Sequence, residues 1–262
     1  MSELSFLRSQ TVSFFEVPEK TIEEELINLA GCICERWSVD GKLHRLDGPA
    51  VIYRNREGQI IQQEWYEGGK RHRIDAPAVV YETKYNKEEK WYRDDKLHRV
   101  GGPAIFELEK DTGRILEESW FENDQLHRFH APAQILRETG ASDKTVDDVF
   151  SVTWAVKGKF HREGGPAYIE FFSPSEGVVA EEAWYRDGLL HRDDGPARIQ
   201  RHSEMPDLNI HEEWCLYGKR HRLDGPALIL RNYNTAEVTH LEYFENGKKK
   251  PSPANLPHNP SI

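Results

Sequence analysis

Cysteine, methionine and long apolar runs are what this chain has least of. Its 262 residues include 3 Cys and 2 Met, and the mean hydropathy is −0.75. The thiols are Cys32, Cys34 and Cys215, an odd and scattered set that cannot form a disulfide framework and points to a reducing compartment. Cys32 and Cys34 have no further Cys to complete a metal motif, so they are expected to pack as strand residues beside the first repeat. No stretch approaches 18 consecutive apolar residues, and residues 1–12 lack the basic start and apolar run of a signal peptide. The expectation is a soluble, cytoplasmic protein with no transmembrane segment. Base is also in short supply: 35 Lys and Arg stand against 45 Asp and Glu, a formal net charge of −10. General nucleic-acid binding needs a basic face that releases counterions, and this balance argues against one. Gly-rich phosphate loops, a nucleophile elbow and His-Glu-x-x-His are all missing from the sequence. The chain is therefore expected to be no enzyme, with no catalytic residues and no cofactor.

What is present is a repeat. All 7 tryptophans, Trp37, Trp65, Trp91, Trp120, Trp154, Trp184 and Trp214, are followed seven residues later by His-Arg and five residues after that His by Pro-Ala. An eighth copy is decayed, with Tyr243 for Trp and Lys250 for His. Spacing from one Trp to the next varies between 26 and 34 residues, the variation falling after Pro-Ala. A period of this length means stacked supersecondary units. The composition agrees, since 37% hydrophobic and 31% charged residues suit a thin body with a large surface.

Within each repeat the third and fourth residues after the Trp read as a two-residue primed turn, as in Asp40-Gly41, Gly68-Gly69, Asn246-Gly247. That turn sets Trp opposite His and places the residue before the Trp opposite the Arg. The register predicts the His ring against the indole, with Arg73 meeting Glu64 and Arg222 meeting Glu213; Glu35, Glu89, Glu118 and Glu182 are diagonal candidates elsewhere. A kink ending mostly in Gly precedes Pro, which predicts a bulge or bend before the next strand. The reading is an all-β, elongated single-layer stack of about eight antiparallel β-hairpin repeats, each two long bent strands, some 70 Å long on the usual strand spacing.

Three segments are assigned around that pattern. Residues 1–34 form an N-terminal cap, in which Thr21-Ile22-Glu23-Glu24 has capping-box spacing and Ile22, Leu26 and Leu29 predict a short helix over 21–30. Residues 35–254 are the repeat domain. Residues 255–262 are a polar, Pro-containing tail. The longest spacer carries a protruding loop over 139–148.

The motif Glu-Trp-x-x-Asn/Asp-Gly-Lys-x-His-x-x-x-Gly, followed by a strand and a second turn, resembles the MORN repeat (membrane occupation and recognition nexus). The likeness spans some 220 of the 262 residues. The chain differs in placing Arg after the His, in adding about two residues before Gly-Pro-Ala, and in its longer spacers; it is similar to divergent MORN-type proteins of viruses, phages and bacteria. The resemblance implies stacked hairpins in an extended, gently curved sheet that serves protein interaction, scaffolding or, in some members, membrane association. It carries no catalytic residues to transfer.

Seven histidines in line suggest metal, but equivalent residues of successive repeats lie about 9.6 Å apart, too far for rungs to share an ion held at about 2.0 to 2.3 Å. No metal site is expected. The function that follows is protein-protein interaction, as a scaffold or a partner-masking module, with a protein partner. The alternative is a small-molecule, nucleotide or glycan binder. Either reading uses Arg45, Arg73, Arg99, Arg128, Arg162, Arg192 and Arg222, with the aromatics that follow the Trp, Tyr66, Tyr92, Phe121 and Tyr185. The fourth repeat, with His127, His130 and the 139–148 loop, is the one place that departs toward a cluster of unlike polar groups.

Overall fold

The computed structural model describes residues 18–27, 30–138, 149–173 and 176–252. The 139–148 loop and the 255–262 tail lie outside the described residues. Among the described residues no α-helix is formed, and two classes of β pairing account for the chain.

The first class is a ladder. It starts at Glu19–Ile27, runs through Ala30–Val39, Val51–Arg54, Ile60–Glu64 and Val79–Glu82, and ends at Val238–Glu245, every strand antiparallel to the one before it. Each repeat adds two strands, one before its Trp and one after its Pro-Ala. The second class is a set of two-residue hairpins that leave the ladder at the Trp, such as Tyr66–Glu67 with Lys70–Arg71 and Tyr92–Arg93 with Lys96–Leu97. In the six repeats from Trp65 to Trp214 the predicted long bent strand is therefore two strands, broken where the Trp amide donates to the carbonyl of the Ala in Pro-Ala (Trp65 to Ala78, 2.8 Å), whereas Ala30–Val39 and Val238–Glu245 run on unbroken into their hairpins.

The expected helix over 21–30 is not formed. Residues Glu19–Ile27 are a strand paired along its whole length with Ala30–Val39, in the register Glu19↔Ser38 to Ile27↔Ala30. The edge that a cap must cover is covered by one more strand, which overrides the local helical spacing.

The turn prediction holds at all eight copies. Both central residues have positive φ, for example Asp94 (52°) with Asp95 (66°) and Lys157 (51°) with Gly158 (74°), which is the type I′ geometry. The His amide closes each hairpin on the Trp carbonyl, at 3.1 Å for His72 on Trp65, so Trp and His are cross-strand partners as predicted. Successive hairpins also bond one another. The second turn residue donates to the carbonyl before the preceding His, as Gly69 to Leu43 (2.8 Å) and Gly218 to Leu190 (2.8 Å).

The core lies along the junction of ladder and hairpins. Ala50, Ala78, Ala104, Ala133, Ala167, Ala197 and Ala227 are all fully buried. On the ladder, the register lines up Glu35, Ile52, Gln63, Val80, Glu89, Phe106, Glu118 and Ile135 across neighbouring strands, so acids or amides alternate with apolar residues on one face. Three of the diagonal acids meet arginines 19 residues downstream rather than those after the His, Glu35–Arg54 (2.8 Å), Glu118–Arg137 (3.0 Å) and Glu182–Arg201 (2.7 Å), as does Glu212–Arg231 (2.7 Å), whereas Glu89 pairs with Lys87 (2.7 Å). Each of these arginines follows a shift in ladder register, which lies four residues beyond the Ala rather than at the Pro. The Gly-Pro segment itself is an irregular bend between hairpin and ladder.

Cys32, Cys34 and Cys215 are buried in strands, and burial pushes the Cys215 thiol up to about 12. A thiol held protonated in this way is a packing residue, not a nucleophile.

Candidate functional site

The His and Arg of each repeat have exchanged the roles that the register suggested. The Arg, not the His, lies on the indole. Its guanidinium carbon stands 4.2 Å from the ring centre for Arg45 on Trp37, 3.8 Å for Arg73 on Trp65, 3.7 Å for Arg99 on Trp91 and 3.8 Å for Arg128 on Trp120. The distances are 3.7, 3.9 and 3.9 Å for Arg162 on Trp154, Arg192 on Trp184 and Arg222 on Trp214. In every repeat the Arg Nη1 also donates to the carbonyl of the Pro four residues on. The residue before that Pro lies against the guanidinium: a Cβ at Gly102 would sit 2.9 Å from the Arg99 guanidinium carbon, and in repeats two and four Ala76 and Ala131 occupy this position with the stack kept. Glu64 and Glu213 consequently meet the arginines before the His, Arg71 (3.2 Å) and Arg220 (2.6 Å), and not Arg73 and Arg222.

The His instead staples one repeat to the next. His44 Nδ1 accepts the amide of Gly68 (3.1 Å), His127 that of Lys157 (3.0 Å), His161 that of Asp187 (3.2 Å), His191 that of Tyr217 (3.3 Å) and His221 that of Asn246 (3.1 Å). His98 is the exception, since both of its ring nitrogens are buried without a partner. His130 stands apart from the staples, in a left-handed conformation (φ 60°) beside Phe129.

The aromatics that follow the Trp are half-buried parts of the hairpin layer. Arg71 lies between Tyr66 and Tyr92, at 5.6 and 5.5 Å from their ring centres, and Phe160 meets Tyr185 edge-on at 5.3 Å. The Tyr66 hydroxyl donates to Glu64 (2.7 Å); burial first, and then Glu64, push that phenol above its ordinary range. Phe121 pairs across its hairpin with Leu126. All four side chains are half-buried, and Tyr92 and Tyr185 line open grooves together with the arginines.

Those grooves recur between neighbouring repeats. One of about 600 Å³ is lined by Arg73, Ile74, Trp91, His98, Arg99 and Val100, among others. A second, about 610 Å³, lies between Arg128 and Arg162, and a third, about 720 Å³, between Arg162 and Arg192.

The arginines along this row come in two states. In repeats one, six and seven the Nε donates to an Asp two residues on: Arg45 to Asp47 (2.8 Å), Arg192 to Asp194 (2.9 Å) and Arg222 to Asp224 (3.1 Å). In repeats two to five the equivalent residue is left-handed, Asp75 (56°), Gly101 (78°), His130 (60°) or Gly164 (73°), and the Arg has no ion-pair partner among the described residues. Burial pulls Arg73, Arg99 and Arg162 below the ordinary arginine value, opposed at Arg73 and Arg99 by the field of Glu89. Arginine stays cationic all the same. Four neighbouring guanidiniums are thus stacked on indoles without a carboxylate. The sequence singled out all seven arginines, and an Asp two residues after the Arg stands in only four copies; Asp75 alone hides the division, being the same residue as Asp47 in the opposite loop conformation.

Among the described residues, no group of three or more His, Cys, Asp and Glu is placed to hold a metal ion, and no helix is long and apolar enough to cross a membrane. No family model matches the chain, and no curated protein matches it.

Proposed function

We propose that this protein is a non-enzymatic interaction module, a divergent MORN-type scaffold or partner-masking protein acting in the cytoplasm, and that it binds a protein partner along the row of inter-repeat grooves. One observation carries the reading: the same Arg-on-Trp pair is built seven times in line, and four of the guanidiniums in a row lack a carboxylate. Catalysis needs a unique constellation of unlike groups, whereas this surface repeats one element. A linear array of identical polar anchors suits an elongated ligand, which gains affinity by engaging several at once. The second reading, a small-molecule, nucleotide or glycan binder, is favoured by the groove volumes of about 600 to 720 Å³, within the range of small-ligand pockets.

The test is site-specific photo-crosslinking of the full chain, with the probe at Val100 on the groove side or at Phe150 on a ladder strand. The reading expects one protein adduct through Val100 whose purified form binds stoichiometrically, and none through Phe150. Capture through Phe150 alone, or a metabolite that raises the melting temperature with no protein adduct, contradicts it.

A further inference from the structure

Two independent features of the row coincide in only three repeats. The first is the Arg without a carboxylate, in repeats two to five. The second is a large apolar side chain projecting into solvent directly after the His-Arg pair. Ile74, Val100 and Phe129 are exposed by 76, 82 and 61% there, while repeats five and six have Glu163 and Asp193 at this position. Repeats one and seven have Leu46 and Leu223, but their arginines are capped by Asp47 and Asp224. Repeats two, three and four therefore form a distinct block in which Arg73, Arg99 and Arg128 each stand beside an exposed apolar residue. The groove between repeats two and three is positive in a chain of net charge −10, carrying Arg73, Arg93 and Arg99 against the single carboxylate of Asp75.

From this coincidence we propose that repeats two to four are a docking site for an acidic segment of a partner protein in the polyproline II conformation, with a carboxylate at every third residue. The inference rests on the interaction reading above and names its partner class. Repeat spacing selects the conformation. Equivalent arginines recur about every 9.6 Å, two ladder spacings. A polyproline II helix has three residues per turn and a rise of 3.1 Å, so residues i, i+3 and i+6 lie on one side about 9.3 Å apart. A β-strand returns to the same side every second residue, at about 6.8 or 13.6 Å, and matches neither way. An α-helix returns after seven residues at about 10.5 Å, an error of nearly 1 Å per repeat that accumulates. The acidic residue of each turn meets a guanidinium through a charge-assisted hydrogen bond, and prolines in the other two positions meet Ile74, Val100 and Phe129. Because the segment is already extended when free, little ordering cost opposes binding.

The experiment measures anisotropy of fluorescein-labelled (Pro-Pro-Glu)3 titrated with the full chain at low salt. Comparison peptides are (Pro-Pro-Lys)3 and a peptide of equal length and charge with its three Glu contiguous; polyphosphate and an oligodeoxynucleotide serve as alternative anions. The expected result is saturable binding of (Pro-Pro-Glu)3 that weakens with salt, at least tenfold weaker binding of the contiguous-Glu peptide, and none of the Lys peptide. R99Q/R128Q should lose at least tenfold in affinity, while K110Q, at a ladder turn outside the hairpin row, changes it less than threefold. A gain-of-binding variant guards against misfolding: Glu163→Val gives repeat five the pattern of repeat three, so it should tighten (Pro-Pro-Glu)4 and leave (Pro-Pro-Glu)3 unchanged. Equal binding of the two Glu peptides overturns the register, and tighter binding of polyphosphate or DNA overturns the partner class. If no peptide binds but a protein crosslinks through Val100, this inference fails and the interaction reading stands.

Discussion

The Arg99 guanidinium lies 3.7 Å from the Trp91 ring centre while its Nη1 donates to the Pro103 carbonyl at 3.0 Å, so one side chain ties the hairpin to the bend that follows it. A flat cation does this and a compact one does not. Arg99→Lys should therefore destabilise the protein by about 1 kcal/mol, the scale of a partly desolvated cation–π contact. The check is a denaturant double-mutant cycle of Arg99→Lys with Trp91→Leu, in which the coupling energy should be about 0.5 to 2 kcal/mol. A coupling near zero would mean that the stacking contributes nothing to stability.

The histidine staples predict opposite outcomes at two equivalent positions. His127→Leu removes the acceptor of the Lys157 amide and should cost about 1 kcal/mol or more. His98→Leu removes two buried nitrogens that have no partner, and should be neutral or stabilising. Urea unfolding of the two variants side by side decides the matter, and equal losses would show that the bond at His127 does not matter.

Much of this fold is legible in the sequence, and the limits have physical causes. The I′ turns were readable because Asn-Gly, Asp-Gly and Gly-Gly pairs determine backbone geometry within a few residues. The Trp–His register followed directly from the turn. Which of His or Arg would cover the indole did not follow, because that depends on a Pro carbonyl four residues on facing the guanidinium across the bend. Helical spacing at Ile22, Leu26 and Leu29 misled because edge pairing with Ala30–Val39, a non-local term, decides the strand. The Glu–Arg pairs 19 residues apart were hidden by a register shift before each Arg. Of the candidate site residues, Arg73, Arg99, Arg128, Arg162 and Arg192 line the grooves together with Tyr92 and Tyr185, while Tyr66 and Phe121 pair within the hairpin layer.

A fully buried alanine line predicts intolerance of size. Ala133→Leu should cost about 1 to 3 kcal/mol by overpacking, since the site is completely buried and its neighbours are backbone-bonded on both sides. Ile135→Leu on the adjoining strand, a volume-conserving change, should cost less than about 1.5 kcal/mol. Thermal unfolding of both variants tests the contrast; a larger loss at Ile135 would move the core away from the junction.

Stability should also fall on the acid side in two steps. Burial holds His211 below its ordinary value of 6.5, with Glu213 opposing, so the unfolded chain takes up its proton first. Its contribution is complete above about pH 6.5 and is lost as pH falls toward the folded value. The second step belongs to Glu35, whose carboxyl Lys20 and Arg54 hold below its ordinary 4.5; the stabilisation is present above that value and disappears as pH falls through the folded one. His211→Gln should flatten the first step and leave the second. Melting temperatures from pH 7 to 3 would show this, and an unchanged profile would remove His211 from the account.

The central claim is that the arginines after the histidines exist in two states, capped by Asp in repeats one, six and seven and unpaired in repeats two to five. Phenylglyoxal modification of the native full chain, followed residue by residue with mass spectrometry, reads this directly. The reagent attacks the neutral guanidine, which burial favours at Arg73, Arg99 and Arg162, whereas at Arg45, Arg192 and Arg222 an Asp carboxylate engages Nε and obstructs the approach. The account predicts that Arg73, Arg99, Arg128 and Arg162 react several-fold faster than the other three. Equal rates along the row, or faster reaction at the capped arginines, would contradict it.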